Sequence, residues 1–131
     1  MAKNVRLVKW NGKKCLRSVE SQETKRLKKA AIHFTNAVKK NISTKGSKCG
    51  KNTGGRSKPG AFPNVECGQL RNSMTFEIKK LKALAGTNLK HGLYLEKGTS
   101  QMSPRPFLQP TLKAERGRIR KILAGKKLKG F

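Results

Sequence analysis

Apolar and polar positions recur with two different periods along this chain, and the change from one to the other sets the expected fold. Leu27, Ala30, Ala31, Phe34, Val38 and Ile42 recur at spacings of three and four. That spacing places one apolar stripe on a helix of about six turns. Ser18 or Ser21 can cap it, with Glu20 and Glu23 near its positive end. Met74, Phe76 and Ile78 instead alternate with Thr75, Glu77 and Lys79, the pattern of a half-buried strand. Leu81, Ala83 and Ala85 extend the alternation, and Gly86-Thr87-Asn88 reads as the turn that ends it. His91 to Lys97 predicts one or two helical turns. Leu108, Leu112, Ile119, Ile122 and Leu123 line a C-terminal helix. The expected fold is α+β: a long N-terminal helix and a C-terminal helix packed on a small antiparallel sheet, all in a single domain, residues 1–131.

The segments between these elements read differently. Val5-Arg6-Leu7-Val8-Lys9-Trp10 is β-rich, and Asn11-Gly12 separates it from Lys13-Lys14-Cys15-Leu16. Asn-Gly between two such runs is a hairpin signal, because both central residues of a type I′ turn need positive φ. A small hairpin is therefore expected over residues 1–17. Residues 43–68 show no periodicity. Gly46, Gly50, Gly54, Gly55, Gly60 and Gly68 punctuate them, and Lys45, Lys48, Lys51, Arg56 and Lys58 make them basic. So long a loop within one domain is either a plain flexible connector or a basic arm that orders on a phosphate backbone or a neighbouring subunit. Gly54-Gly55-Arg56-Ser57-Lys58 lacks the Gly-Lys-Ser/Thr ending of a phosphate loop, so no nucleotide site is expected there. Residues 124–131 read as a basic tail.

Charge changes the picture most. The 131 residues carry 32 Lys and Arg against 6 acids, all Glu, for a formal net charge of +26. A compact chain with that charge repels itself, so an anionic partner is expected to offset it. No apolar run approaches the length of a spanning helix, and the first residues lack the apolar core of a signal peptide. A membrane partner is therefore not expected, and the chain reads as made or assembled in a cytosol-like compartment. Cys15, Cys49 and Cys67 are an odd set and do not fit a paired zinc knuckle. Free thiols are the simpler reading than a metal site of Cys49, Cys67 and His91. Six Glu, no Asp and two ungrouped His offer no constellation for metal or acid–base chemistry, so neither an enzyme nor a cofactor is expected.

The most particular residue choices lie between Tyr94 and Pro110. Gly98 ends a short amphipathic run and reads as a helix stop in the left-handed conformation. Pro104, Pro106 and Pro110 then fix φ repeatedly, giving a stiff, extended connector with Phe107 as its apolar anchor. Glu96-Lys97-Gly98-Thr99 followed by Pro104-Arg105-Pro106-Phe107-Leu108 resembles the neck, or tail-completion, proteins of long-tailed bacteriophages, the group that includes gpZ-like and gene-product-ten-like minor tail proteins. Gly68-Gln69-Leu70-Arg71-Asn72-Ser73 is similar to a second segment of that family in order and spacing. Cys67 stands where the family usually has Thr, and Lys97 where it usually has Phe. The resemblance runs from about residue 18 to residue 123.

That resemblance implies a virion protein at the head–tail junction, in a tail-completion or tail-terminator role, present as a homo-oligomeric ring beside neck and tail-tube proteins, with DNA passing through its channel. Charge supplies a mechanism, since Lys and Arg facing the channel would hold phosphates without reading bases. The candidate phosphate contacts are Lys25, Lys28, Lys29, Lys45, Lys48, Lys51, Arg56 and Lys58. Gly98, Thr99, Pro104, Arg105, Pro106 and Phe107 are the candidate docking element, acting between neighbouring subunits or against the core. The competing reading is a ribosomal-type RNA-binding protein, which has composition as its support and does not predict the two sequence blocks in their order.

Overall fold

The computed structural model describes residues 12–43, 57–64 and 68–125. They form helix α1 (Gly12–Asn41), a one-turn helix α2 (Gln69–Ser73), strands β1 (Met74–Lys79) and β2 (Lys82–Thr87), and helices α3 (Lys90–Lys97) and α4 (Leu108–Leu123). The fold is α+β, with a long N-terminal helix and a C-terminal helix around a two-stranded antiparallel sheet.

The apolar stripe forms α1 as its spacing dictates. Ala30, Ala31, Thr35 and Val38 are its buried positions, and Ile42 is buried just beyond its end. Thr35, polar within that stripe, is satisfied by donating to the Ala31 carbonyl at 2.8 Å. The helix begins earlier than the caps at Ser18 and Ser21 suggest. It starts at Gly12, so Lys13 to Leu16 are helical and not the second strand of a hairpin. The Asn-Gly turn signal yields there to a run of good helix formers that continues the same helix. The first strand of that hairpin, Val5 to Trp10, lies outside the described residues.

β1 and β2 pair Met74 with Thr87, Phe76 with Ala85 and Ile78 with Ala83. Those residues share one face, which lies against α1. Here the expected turn moves. Lys80 and Leu81 make the reversal, with Lys80 at φ 50, and the strand runs on through Gly86 and Thr87. A lone hairpin is marginal in water, so the packing on α1 is what holds this one.

α4 runs antiparallel to α1, as three contacts along the pair show. Asn41 donates to the Thr111 hydroxyl at 2.9 Å, His33 Nε2 lies 2.7 Å from Glu115 Oε2, and Gly125 lies beside the Arg26 guanidinium. At the end of the pair near Asn41 sits a small core of Val38, Ile42, Met74 and Phe107. Phe34, Phe62, Leu70, Leu95 and Leu108 pack around it. Phe62 belongs to residues 57–64, a part of the expected loop that is tied down: Gly60 N–H donates to the Pro104 carbonyl at 3.0 Å, and Arg105 Nε donates to the Ser57 carbonyl at 2.8 Å.

Candidate nucleic-acid interface

The basic surface rests on a brace built from the Glu96–Pro110 segment. Helix α4 needs partners for the amides of its first turn. Its own cap, Phe107, has no side-chain acceptor. Glu96, on the last turn of α3, supplies it from outside. Its Oε2 accepts the amides of Phe107 at 2.8 Å and Leu108 at 3.0 Å, and its Oε1 accepts that of Gln109 at 3.1 Å. Pro110 comes next and has no amide to satisfy. It therefore stands inside the first turn of α4 and not in the connector before it, a position where proline costs no hydrogen bond. A carboxylate here also meets the positive end of the helix dipole.

The rest of the segment holds Glu96 in place. Gly98 leaves α3 at φ 78 and ψ 175, an extended conformation with positive φ that only glycine adopts readily, and not the left-handed helical stop that its position suggests. A Cβ there would lie 3.0 Å from both the Met102 carbonyl oxygen and Pro104. Thr99 and Met102 bridge the turn, and the Arg105 amide donates to the Leu95 carbonyl at 2.7 Å. Phe107 is fully buried in this chain's own core, so of its two candidate roles the structure assigns the internal one. Thr99 and Pro104 are exposed, and Arg105 and Pro106 are partly buried. The second block works alongside. Gly68, at φ 72, opens α2, and Leu70 reaches the core. Ser73 donates to the Leu70 carbonyl and pairs with the Thr87 hydroxyl at the end of β2.

Removing the Glu96 carboxylate exposes the consequence. Glu96→Ala is expected to destabilise the fold by about 2 kcal/mol, at the upper end for a helix cap, because no nearer group replaces it. Glu96→Gln keeps an acceptor oxygen and should lose less. Urea unfolding of the two variants beside the parent measures both.

The brace fixes α4 against α1, and the charge sits on the outside of that pair. Lys25, Lys28 and Lys29 are exposed on α1. Successive residues turn by about 100°, which brings Lys25, Lys29, Asn36 and Lys40 within about 60° of one another, opposite the buried stripe. On α4, Lys113, Arg116, Arg120 and Lys121 are exposed in the same way. The acids do not balance this surface. Among the described residues Glu23 pairs with Arg26, Glu77 with Lys79, and Glu115 with His33 and Arg118, while Glu96 is taken up by α4 and Glu20 is exposed on α1.

The structure brings together only part of the expected set. Lys58 is exposed but sits near Arg105, at the start of α4, whereas Lys25 and Lys29 lie toward its end. The length of α4, about 24 Å, separates them. Lys45, Lys48, Lys51 and Arg56 lie outside the described residues. The α4 cations are the addition, and their signal was present in the sequence as charges filling the faces that the Leu108–Leu123 stripe leaves open. Cys15 is a free, exposed thiol on α1, and His91 is exposed on α3, while Cys49 and Cys67 lie outside the described residues. Among the described residues no group of three metal-ligating side chains gathers, and no helix is long and apolar enough to cross a membrane.

Compared with known proteins, the chain matches no family model, no curated protein and no solved structure.

Proposed function

We propose that this chain is a structural virion protein of the head–tail junction of a long-tailed phage, a ring subunit whose basic face holds DNA phosphates without reading sequence. The observation that carries the DNA contact is the unbalanced charge of α1 and α4. Two packed helices present lysines and arginines outward, while Glu23, Glu115 and Glu96 are engaged by Arg26, His33, Arg118 and the amides of α4, which leaves Glu20 as the one exposed acid on α1 against many cations. Phosphates are the anions that such a surface suits, and the contacts need no base-edge geometry.

The neck assignment is supported by the resemblance of the two sequence blocks. The roles those residues take here are consistent with a shared architecture: Glu96, Gly98 and the prolines orient α4, and Gly68 to Ser73 join the core to the sheet. A ring adds the burial that a small core lacks, and DNA in its channel supplies the counter-charge that such strongly basic subunits need.

A map of a particle assembled with this chain tests the reading. Several copies are expected to close into a ring between head and tail, with α1 and α4 toward the channel. Absence of the chain from the particle would remove the neck assignment, and its recovery on a ribosomal particle would favour the RNA-binding alternative.

A further inference from the structure

Helix α1 is longer than its packing requires. Its 30 residues span about 45 Å. The buried positions begin only at Ala30, and every residue from Lys13 to Gln22 is exposed. The exposed stretch is nevertheless apolar on one side. Leu16 is 64% and Val19 52% exposed, and both continue the stripe that α4 covers further along. Just before this overhang stands Val5–Trp10, a strand-forming run whose expected partner, Lys13 to Leu16, is part of the helix.

At the other end of α1 an open strand edge meets a groove. Among the described residues β1 pairs with β2 on one side only. Between its free edge and α1 runs a groove of about 300 Å³. Ile32, Met74 and Phe76 supply its apolar wall, and Thr35, Asn36 and Lys39 its polar rim. An unpaired edge beside an apolar groove is the arrangement that strand addition uses, with main-chain hydrogen bonds for affinity and pockets for alternate side chains.

The chain cannot fill this groove with its own Val5–Trp10. From Gly12 to Ile32 the helix rises about 30 Å. Val5 is seven residues from Gly12 and reaches at most about 25 Å even when fully extended. A neighbouring copy has no such limit, because its Val5–Trp10 is not tethered to this copy's Gly12. We infer that Val5–Trp10 of one copy seats in the groove of the next and adds a strand to the free edge of β1. Leu16 and Val19 then lie on that neighbour as well. The inference rests on the ring proposed above and names what joins its subunits.

Photo-crosslinking between isotopically distinct copies tests it. Unlabelled full-length protein carries benzoylphenylalanine at position 7 or, separately, at position 8, and is mixed with nitrogen-15-labelled parent. Alternate residues of a strand face opposite ways, so one of the two positions faces the groove. Light should join that position to labelled peptides containing Ile32–Lys39 or Met74–Phe76. Assembled protein whose crosslinks fall elsewhere, or only within one copy, overturns the seat and leaves the ring standing. Protein that stays monomeric and gives no crosslink between copies overturns the seat and the ring together.

Discussion

Phe107→Ala is expected to remove about 3–5 kcal/mol of folding stability, the largest loss of any single truncation among the described residues. The ring is fully buried and forms one wall of a core that, among the described residues, has Val38, Ile42 and Met74 as its other buried members. The cost depends on how far the surroundings can collapse into the space, and here they are held. Glu96 pins the amides of Phe107 and Leu108, Thr111 donates to the Phe107 carbonyl at 2.7 Å, and prolines precede the site. The cavity should therefore persist. Small domains hold roughly 5–15 kcal/mol in total, so the variant should sit close to unfolding and assemble poorly. Urea denaturation gives the number directly. A loss below about 1 kcal/mol would mean that the core is not organised around this ring.

Affinity for duplex DNA is expected to depend steeply on salt and hardly at all on sequence. Lys25, Lys28, Lys29, Lys113, Arg116, Arg120 and Lys121 are exposed cations on the paired helices. A protein making that order of phosphate contacts loses roughly 10³–10⁵ in affinity between roughly 50 and 200 mM salt. Titrations of two unrelated duplexes at several salt concentrations should give the same steep line. Neutralising Lys45, Lys48, Lys51, Arg56 and Lys58 should flatten it by about one unit for each residue that contacts phosphate. Parent-like binding by that variant would leave the loop charge for an acidic neighbour.

Much of the fold is legible in the sequence because its signals are local. The Leu27–Ile42 stripe and the Met74–Ile78 alternation each carry one period over enough residues to set the element. The turn at Lys80-Leu81 hides because it lacks the glycine or asparagine that usually marks positive φ, whereas Gly86 offers that signal inside a strand. The start of α1 is misjudged for the opposite reason, since Asn11-Gly12 mimics a hairpin turn at the head of a helix. The brace is the least readable part. Capping signals are sought within three residues of a helix start, but Glu96 lies eleven residues before Phe107 and meets it only because Gly98 and the prolines fold the chain back. His33 and Glu115 are 82 residues apart and pair only once α4 lies along α1. The basic face is half visible: the α1 lysines stand out as a run, while the cations of α4 are exposed only on the faces that its packing against α1 leaves open.

The central claim is that this face, and not bulk charge, holds the phosphates, and matched charge removals test it most directly. One variant converts Lys25, Lys29, Lys113 and Arg120 to Gln. The other converts Lys79, Lys80, Lys82 and Lys90, on and beside the hairpin, so that both lose the same charge. The account predicts that the first lowers the slope of log affinity against log salt by about four units while the second changes it by less than about one. Equal slopes for the two variants, or a larger fall for the hairpin variant, would contradict it.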